Sequence, residues 1–381
     1  MDQRRDSLAL WASTALHHHV QHHLQQRSSS ASDENITRDY SERPNLRIEM
    51  VSGDASFRRY FRIFDDEKHW IAVDAPADKE NNPQFVGIAN QWRQHGVAVP
   101  EVLAYDFEQG FMLLEDFGDA ILWPALHQPN LSLKHVQEIY RPAVDELLML
   151  ASLPTTDLPL YDATVLRNEM ALFTDWLCVQ QLDLILSESE KVMLNQVFDR
   201  LVASALSQPQ VTVHRDYHSR NLMLCPDGRL GVIDFQDAMR GPLTYDLVSL
   251  LRDCYVRWPE SLVDDLFDYW YEQYSSLIDN TQTDYSPDHT SDHTKIAKPT
   301  LRQAFDWMGM QRHLKAAGIF ARLNLRDGKD GYLKSIPNTC QYLCEVSASY
   351  EEFAELNLWL NDVFMPRLNE VFSLQPQAIN E

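Results

Sequence analysis

Apolar positions recur at two different periods along this chain. Leu8, Trp11, Leu16, Val20 and Leu24 fall near helical spacing and predict a helix over 7–26. Residues 27–44 are poor in apolar side chains and predict a mobile linker. From Leu46 the period becomes two. Residues 47–51 alternate, 57–63 alternate again and 70–73 give a third strand, with Ser52–Ser56 as a turn between the first two. A helical pattern covers 83–95, and two more strands fall at 102–105 and 110–115. Beyond Ser132 helices dominate, over about 132–153, 163–182, 188–207, 261–278, 300–324 and 346–372. The polar stretch 279–298 reads as a loop insertion. One β-hairpin interrupts the helices: the apolar runs 222–225 and 229–233, joined by the turn residues Pro226, Asp227 and Gly228.

That hairpin carries chemistry at both ends. Before it stands His214-Arg215-Asp216-Tyr217-His218-Ser219-Arg220-Asn221, and after it Asp234-Phe235. Phosphoryl transfer needs a carboxylate near the acceptor hydroxyl and oxygen ligands for magnesium. Asp216 fits the first role, Asn221 and Asp234 the second. Asn221 enters the first strand and Asp234 leaves the second, so antiparallel pairing brings the two ligands side by side. Hard oxygen donors suit Mg2+ rather than zinc.

Composition narrows the picture. With 381 residues, 44% hydrophobic, the chain can build two lobes with sizeable cores. No run of about 18 uncharged apolar residues occurs, which predicts no transmembrane helix. The N-terminus lacks the apolar core of a signal peptide, and five scattered cysteines (178, 225, 254, 340, 344) suggest reduced thiols; both point to the cytoplasm. A net charge of −23 argues against nucleic acid as a partner, without excluding ATP. His17, His18, His19, His22 and His23 ride on the first helix, but no carboxylate or cysteine completes a metal site in sequence.

These motifs resemble the aminoglycoside phosphotransferase/choline kinase superfamily. Its marks are His214–Asn221, then Val232-Ile233-Asp234-Phe235-Gln236-Asp237, then Gly241-Pro242-Leu243-Thr244-Tyr245-Asp246-Leu247. Further segments are similar to bacterial anomeric kinases of N-acetylmuramate and N-acetylglucosamine: 53–60, 74–76, 113–119, 246–255 and 310–315. The resemblance implies an α+β, bilobal protein kinase-like fold. It divides as 1–45 (helix and linker), 46–117 (a small antiparallel sheet lobe with one main helix, for nucleotide) and 118–381 (a larger, mostly helical lobe with the catalytic hairpin). It implies a kinase that uses ATP and Mg2+ and phosphorylates the C1 hydroxyl of the amino sugar in cell-wall recycling; the chain is expected to be monomeric or weakly associating. Alternatives are a kinase of another small alcohol or an aminoglycoside, and a catalytically silent nucleotide-binding module.

Roles follow on that reading. Asp216 is the catalytic base; His214 and Asp246 brace its loop. Ser52, Gly53, Ala55, Ser56 and Phe57 form the phosphate-covering turn, and the backbone around Glu115 and Phe117 meets the adenine edge. The expected third-strand lysine is missing from 71–74, so Arg59, Arg62 or Lys79 is expected to supply the phosphate-binding charge. Gln236, Asp237, Arg252, Asp253, Gln311, Arg312, His313 and Lys315 are expected around the acceptor, with Tyr217 or Tyr255 as a platform for the sugar face. An arginine suits the lactyl carboxylate of N-acetylmuramate.

Overall fold

The computed structural model describes residues 2–28, 47–52, 57–65, 68–281 and 295–372. The expected linker beyond Ser28, the turn residues Gly53, Ala55 and Ser56, and most of the expected insertion at 279–298 lie outside the described residues. In chain order the elements are α1 (Gln3–Ser28), β1 (Arg47–Ser52), β2 (Arg59–Asp65), β3 (Lys68–Asp74), α2 (Asn82–Gln94), β4 (Val102–Asp106) and β5 (Phe111–Glu115). Then come α3 (Leu122–Ala125), α4 (Leu133–Ala151), α5 (Ala163–Leu172), a π-helical segment (Phe173–Gln181), α6 (Glu188–Ser207), β6 (Gln210–Val213), β7 (Leu222–Leu224) and β8 (Leu230–Val232). The chain ends with β9 (Met239–Pro242), α7 (Tyr245–Leu251), α8 (Glu260–Thr281), α9 (Lys298–Asp327), α10 (Ile336–Ala348), α11 (Ala354–Trp359) and α12 (Met365–Phe372).

Two compact units form. A sheet unit takes 1–120 and 223–236; a helical unit takes 121–222 and 237–381. The boundary expected after 117 falls after 120. The hairpin expected in the helical lobe groups, except for Leu222, with the sheet.

The sheet is antiparallel in the order β1-β2-β3-β5-β4. Alternation decides what each face does. Phe61 and Ile63 of β2, Ala72 of β3, and Phe111 and Leu113 of β5 point one way and bury Leu8, Ala12 and Leu16 of α1. These three α1 positions repeat every four residues, the spacing of one helical face. The N-terminal helix, expected as a separate segment, is therefore part of this unit. Arg4 fastens it by donating to Asp74 (2.9 Å). Among the described residues no group of three or more His, Cys, Asp or Glu is placed to hold a metal.

In the helical unit, α9 is the central member, with Leu301, Phe305, Met308, Leu314, Ala317 and Ala321 buried. Gly318 lets it approach the chain at Leu172, since a Cβ there would lie 2.3 Å from the Leu172 carbonyl carbon. The helix expected over 346–372 is instead α10, a short 3-10 turn, α11, a π turn and α12. Tyr350 takes an extended backbone (φ −131, ψ 123) between them, and its hydroxyl donates to Asp306 (2.6 Å). The strands β6 and β9 were not expected. They pair antiparallel, Gln210 opposite Pro242, and four residues each are too few to show a period. All five cysteines are free and buried.

Candidate active site

The Asp216 loop is held by two buried carboxylates of the helical unit. Asp246, in the first turn of α7, accepts from the backbone N–H groups of His214 (2.6 Å) and Arg215 (2.9 Å). Asp253 accepts from the N–H groups of Ser219 (3.0 Å) and Tyr255 (2.8 Å). Asp253 was expected at the acceptor; it serves the loop instead. Burial pushes the Asp246 carboxyl up, against the downward pull of His214 and those backbone donors. Between the anchors Arg215 has φ 77, a left-handed conformation that costs a non-glycine residue energy and recurs at functional sites. Asp216 N–H meets His214 Nδ1 (3.2 Å), and the Asn221 amide donates to the Asp216 carbonyl (3.0 Å). His214 and Asp246 thus brace the loop.

Four basic side chains act on the Asp216 carboxyl. Burial alone would raise its carboxyl; Lys315, His218, Arg312 and Arg215 offset that and hold it well below the usual carboxylate range. Lys315 donates to the Tyr245 hydroxyl (3.0 Å) and pairs with Glu169 of α5 (3.5 Å). Glu169 also pairs with Arg215 and accepts from the Tyr161 hydroxyl. Burial would lower the Lys315 ammonium, but Glu169, Tyr245 and Asp216 raise it, so it stays charged. Gln311 reaches Glu169 through its amide N–H (3.4 Å), and its side-chain oxygen has no hydrogen-bond partner among the described residues. Arg312, 4% exposed, donates to the Cys254 sulfur (3.4 Å), while its Nε has no hydrogen-bond partner among the described residues.

Helix geometry separates the residues expected on α9. Gln311, Arg312 and Lys315 share the face toward Asp216. His313 lies off it: it stacks on Tyr342 at 4.6 Å, bonds the Arg252 carbonyl at 2.9 Å and, chiefly through burial, has its imidazole lowered to about 3. It is a neutral packing residue. Arg252 is also structural, held by Glu260 (2.7 Å) and Asp306 (2.8 Å). Tyr217 is fully buried with its hydroxyl on the Ala143 carbonyl (3.0 Å), so it offers no platform. Tyr255 is half-buried, but the Arg220 guanidinium covers its ring at 4.7 Å. The Asp237 side chain is exposed, and its carbonyl accepts from Arg215 (3.4 Å). Glu169 was missed because a lone glutamate in a helix gives no sequence signal.

In the sheet unit Asp234 is exposed and has φ 65. The Gln236 amide donates to its Oδ1 (2.8 Å), so Gln236 orients the expected metal ligand rather than an acceptor. Phe235 is buried against Phe85 (4.8 Å) and Trp92 (5.7 Å), which fixes the backbone beside Asp234. An exposed carboxylate and the Asn221 carboxamide are the hard donors that Mg2+ prefers, so the residues present fit that ion.

Two of the three expected phosphate cations are held by buried carboxylates. Arg59 shares the parity of Phe61 and Ile63, which turns it toward α1, where it pairs with Asp74 (2.5 Å) and Asp2. Arg62 is paired with Asp116 (2.5 Å) and Asp119 (2.7 Å). Lys79 is exposed beside Asp78 (3.5 Å). Lys68 does begin β3, but at its exposed outer end. Of the expected covering turn, Ser52 ends β1 and Phe57 is exposed, its N–H on Glu80 (3.0 Å). Glu115 pairs with Arg93 (3.1 Å) and Arg229 (2.8 Å), and Phe117 packs on Met223 and Cys225.

The profile of the phosphotransferase enzyme family matches residues 47–278. The chain belongs to that family. The phosphotransferase is 39% identical to an N-acetylmuramate/N-acetylglucosamine kinase of Pseudomonas aeruginosa, over 84% of this chain and 90% of that protein. It is 38% identical to a protein of the same name from Neisseria meningitidis serogroup B, over 83% and 90%. Among solved structures, a choline kinase from Streptococcus pneumoniae superposes with a TM-score of 0.52 at 15% identity, covering 82% of this chain and 96% of that one. A Plasmodium vivax ethanolamine kinase gives 0.56 at 10% identity, covering 81% and 85%. These likenesses establish the bilobal kinase-like fold of the phosphotransferase. Among its described residues no helix is long and apolar enough to cross a membrane.

Proposed function

We propose that the phosphotransferase transfers the γ-phosphoryl group of ATP, with Mg2+, to the C1 hydroxyl of N-acetylmuramate or N-acetylglucosamine, as part of cell-wall sugar recycling in the cytoplasm. The observation that carries this reading is the cationic surround of Asp216. Arg215, Arg312 and Lys315 all act on the Asp216 carboxyl there, and Arg312 and Lys315 reach it from one helix. Like charge disfavours a cationic acceptor such as choline or an aminoglycoside, and attraction favours a neutral or anionic one. Arg312, with a donor unspent on the protein, is the residue for the lactyl carboxylate of N-acetylmuramate. The names of the relatives support the same acceptor.

The depressed Asp216 carboxyl supports the C1 position. A strongly acidic group is a weak base, and an anomeric hydroxyl is more acidic than an ordinary alcohol because the ring oxygen withdraws charge. Phosphoryl transfer through a loose transition state asks the carboxylate mainly to orient the hydroxyl and to take its proton late. In this reading Asn221 and Asp234 would hold Mg2+, which would supply positive charge to the phosphates. Gln236 steadies Asp234. The complete set of Asp216, Asn221 and Asp234 speaks against a silent module.

The test is ADP release with MgATP and a panel of N-acetylmuramate, N-acetylglucosamine, choline, homoserine and kanamycin, with phosphorus NMR of the product. Turnover confined to the two sugars, with a C1 phosphate doublet, is expected. Turnover with choline or kanamycin alone, or a C6 phosphate, overturns the reading.

A further inference from the structure

The third strand brings no lysine to the nucleotide, Arg59 and Arg62 are paired with buried carboxylates, and Lys79 is an exposed ammonium beside Asp78. Arg58 is a further cation of the sheet unit, and a buried one. Arg58 stands just before β2, opposite in parity to Arg59, and turns toward α2 instead of α1. Its side chain is 3% exposed and pairs with Glu80 at 3.2 Å. Glu80 precedes the N-cap of α2, and its other oxygen accepts the Phe57 N–H (3.0 Å). One carboxylate therefore fixes both the end of the expected phosphate-covering turn and the guanidinium next to it.

This pair is linked to Asp234 along two short paths. The Arg58 guanidinium lies 5.3 Å from the Phe85 ring, and Phe85 packs on Phe235 at 4.8 Å. In the same turn of α2, Gln84 donates to the Gln236 carbonyl (3.2 Å), and Gln236 holds Asp234. Burial raises the Tyr60 hydroxyl, and Arg58 lowers it while Asp234 and Glu80 raise it, so one phenol senses all three charges. A cation clamped by a carboxylate at the start of the main sheet-unit helix, beside the metal ligand, is what a strand lysine and helix glutamate provide in protein kinases.

We propose that Arg58, braced by Glu80, is the cation that binds the nucleotide's phosphate oxygens, so that a guanidinium from the segment before β2 replaces the strand ammonium. This rests on the reading that ATP is the phosphoryl donor. A planar fork can take two phosphate oxygens at once, which a lysine cannot.

The test measures binding of ATP and of adenosine, each without acceptor, by calorimetry. It uses the full-length protein, Arg58→Met, and the double variant Arg58→Met/Glu80→Met, which removes both charges of the buried pair together. Wild type is expected to bind both ligands. Both variants should weaken ATP by on the order of tenfold or more, the weight of a charge-assisted contact, and leave adenosine unchanged. Variants that keep the wild-type ratio of ATP to adenosine affinity overturn the assignment. So does a double variant that fails to fold, because the pair is then a support of the unit. Wild type that binds no ATP removes the donor reading as well, which separates the two failures.

Discussion

Asp216 shows how neighbours set the behaviour of one carboxylate. Its folded value lies below the unfolded one, about 3.9 for aspartate, so it favours folding above that range and loses this effect as pH falls through the lower folded value. Lys315 is raised, so its contribution holds below its ordinary value and is lost as pH rises through the folded one. Neither group titrates near neutrality. The kcat/KM profile should therefore show no ionisation from Asp216 between about pH 5 and 8. Lys315→Met should move the acid limb upward into the measurable range, and an unchanged limb would mean that Lys315 does not act on Asp216. Asp216→Asn should lower turnover by about 10²- to 10⁴-fold with nucleotide affinity nearly intact, read by calorimetry beside steady-state kinetics. At this scale the hairpin that Asn221 precedes and Asp234 follows was legible from its turn residues and the spacing of its apolar runs. Tyr217, His313 and Arg252 were misplaced because residue type does not reveal which side of a loop or helix faces the core.

At the scale of elements, strands and the early helices were legible because alternation and helical spacing persist over five or more residues. The split of 346–372 was not. Phe353, Trp359, Phe364 and Leu368 are buried and continue an apolar pattern across the breaks, so periodicity reads straight through them. The close approach of α9 to Leu172 is also silent in sequence, since a glycine inside a helix has several uses. Gly318→Ala sets a methyl against backbone that cannot rotate away. It should destabilise the protein by about 1–3 kcal/mol in urea unfolding. It should also reduce turnover, because α9 carries Arg312 and Lys315 while Glu169 sits on α5, just before Leu172. Unchanged unfolding would show that the helices part at no cost.

For the molecule as a whole, the N-terminal helix and the metal matter most. Deleting residues 2–19 uncovers Phe61, Ile63, Phe111 and Leu113, and each core side chain of the size of Leu8 or Leu16 contributes about 1.5–3 kcal/mol. The truncated chain should unfold at lower urea, with the loss centred on the sheet unit in hydrogen exchange. A chelator such as EDTA should abolish phosphoryl transfer, with recovery on adding Mg2+. Recovery without added metal would remove Asn221 and Asp234 from the ligand role. The acidic composition told only which partner to exclude, because net charge carries no information about the local cationic surround of Asp216.

The five enclosed thiols give the molecule its own reporters. Cys225 belongs to the sheet unit, and Cys178, Cys254, Cys340 and Cys344 to the helical one. A chromogenic disulfide reagent should label them only when the surrounding structure opens. Labelling resolved by mass spectrometry then times the breathing of each half separately, without any dye or mutation being introduced.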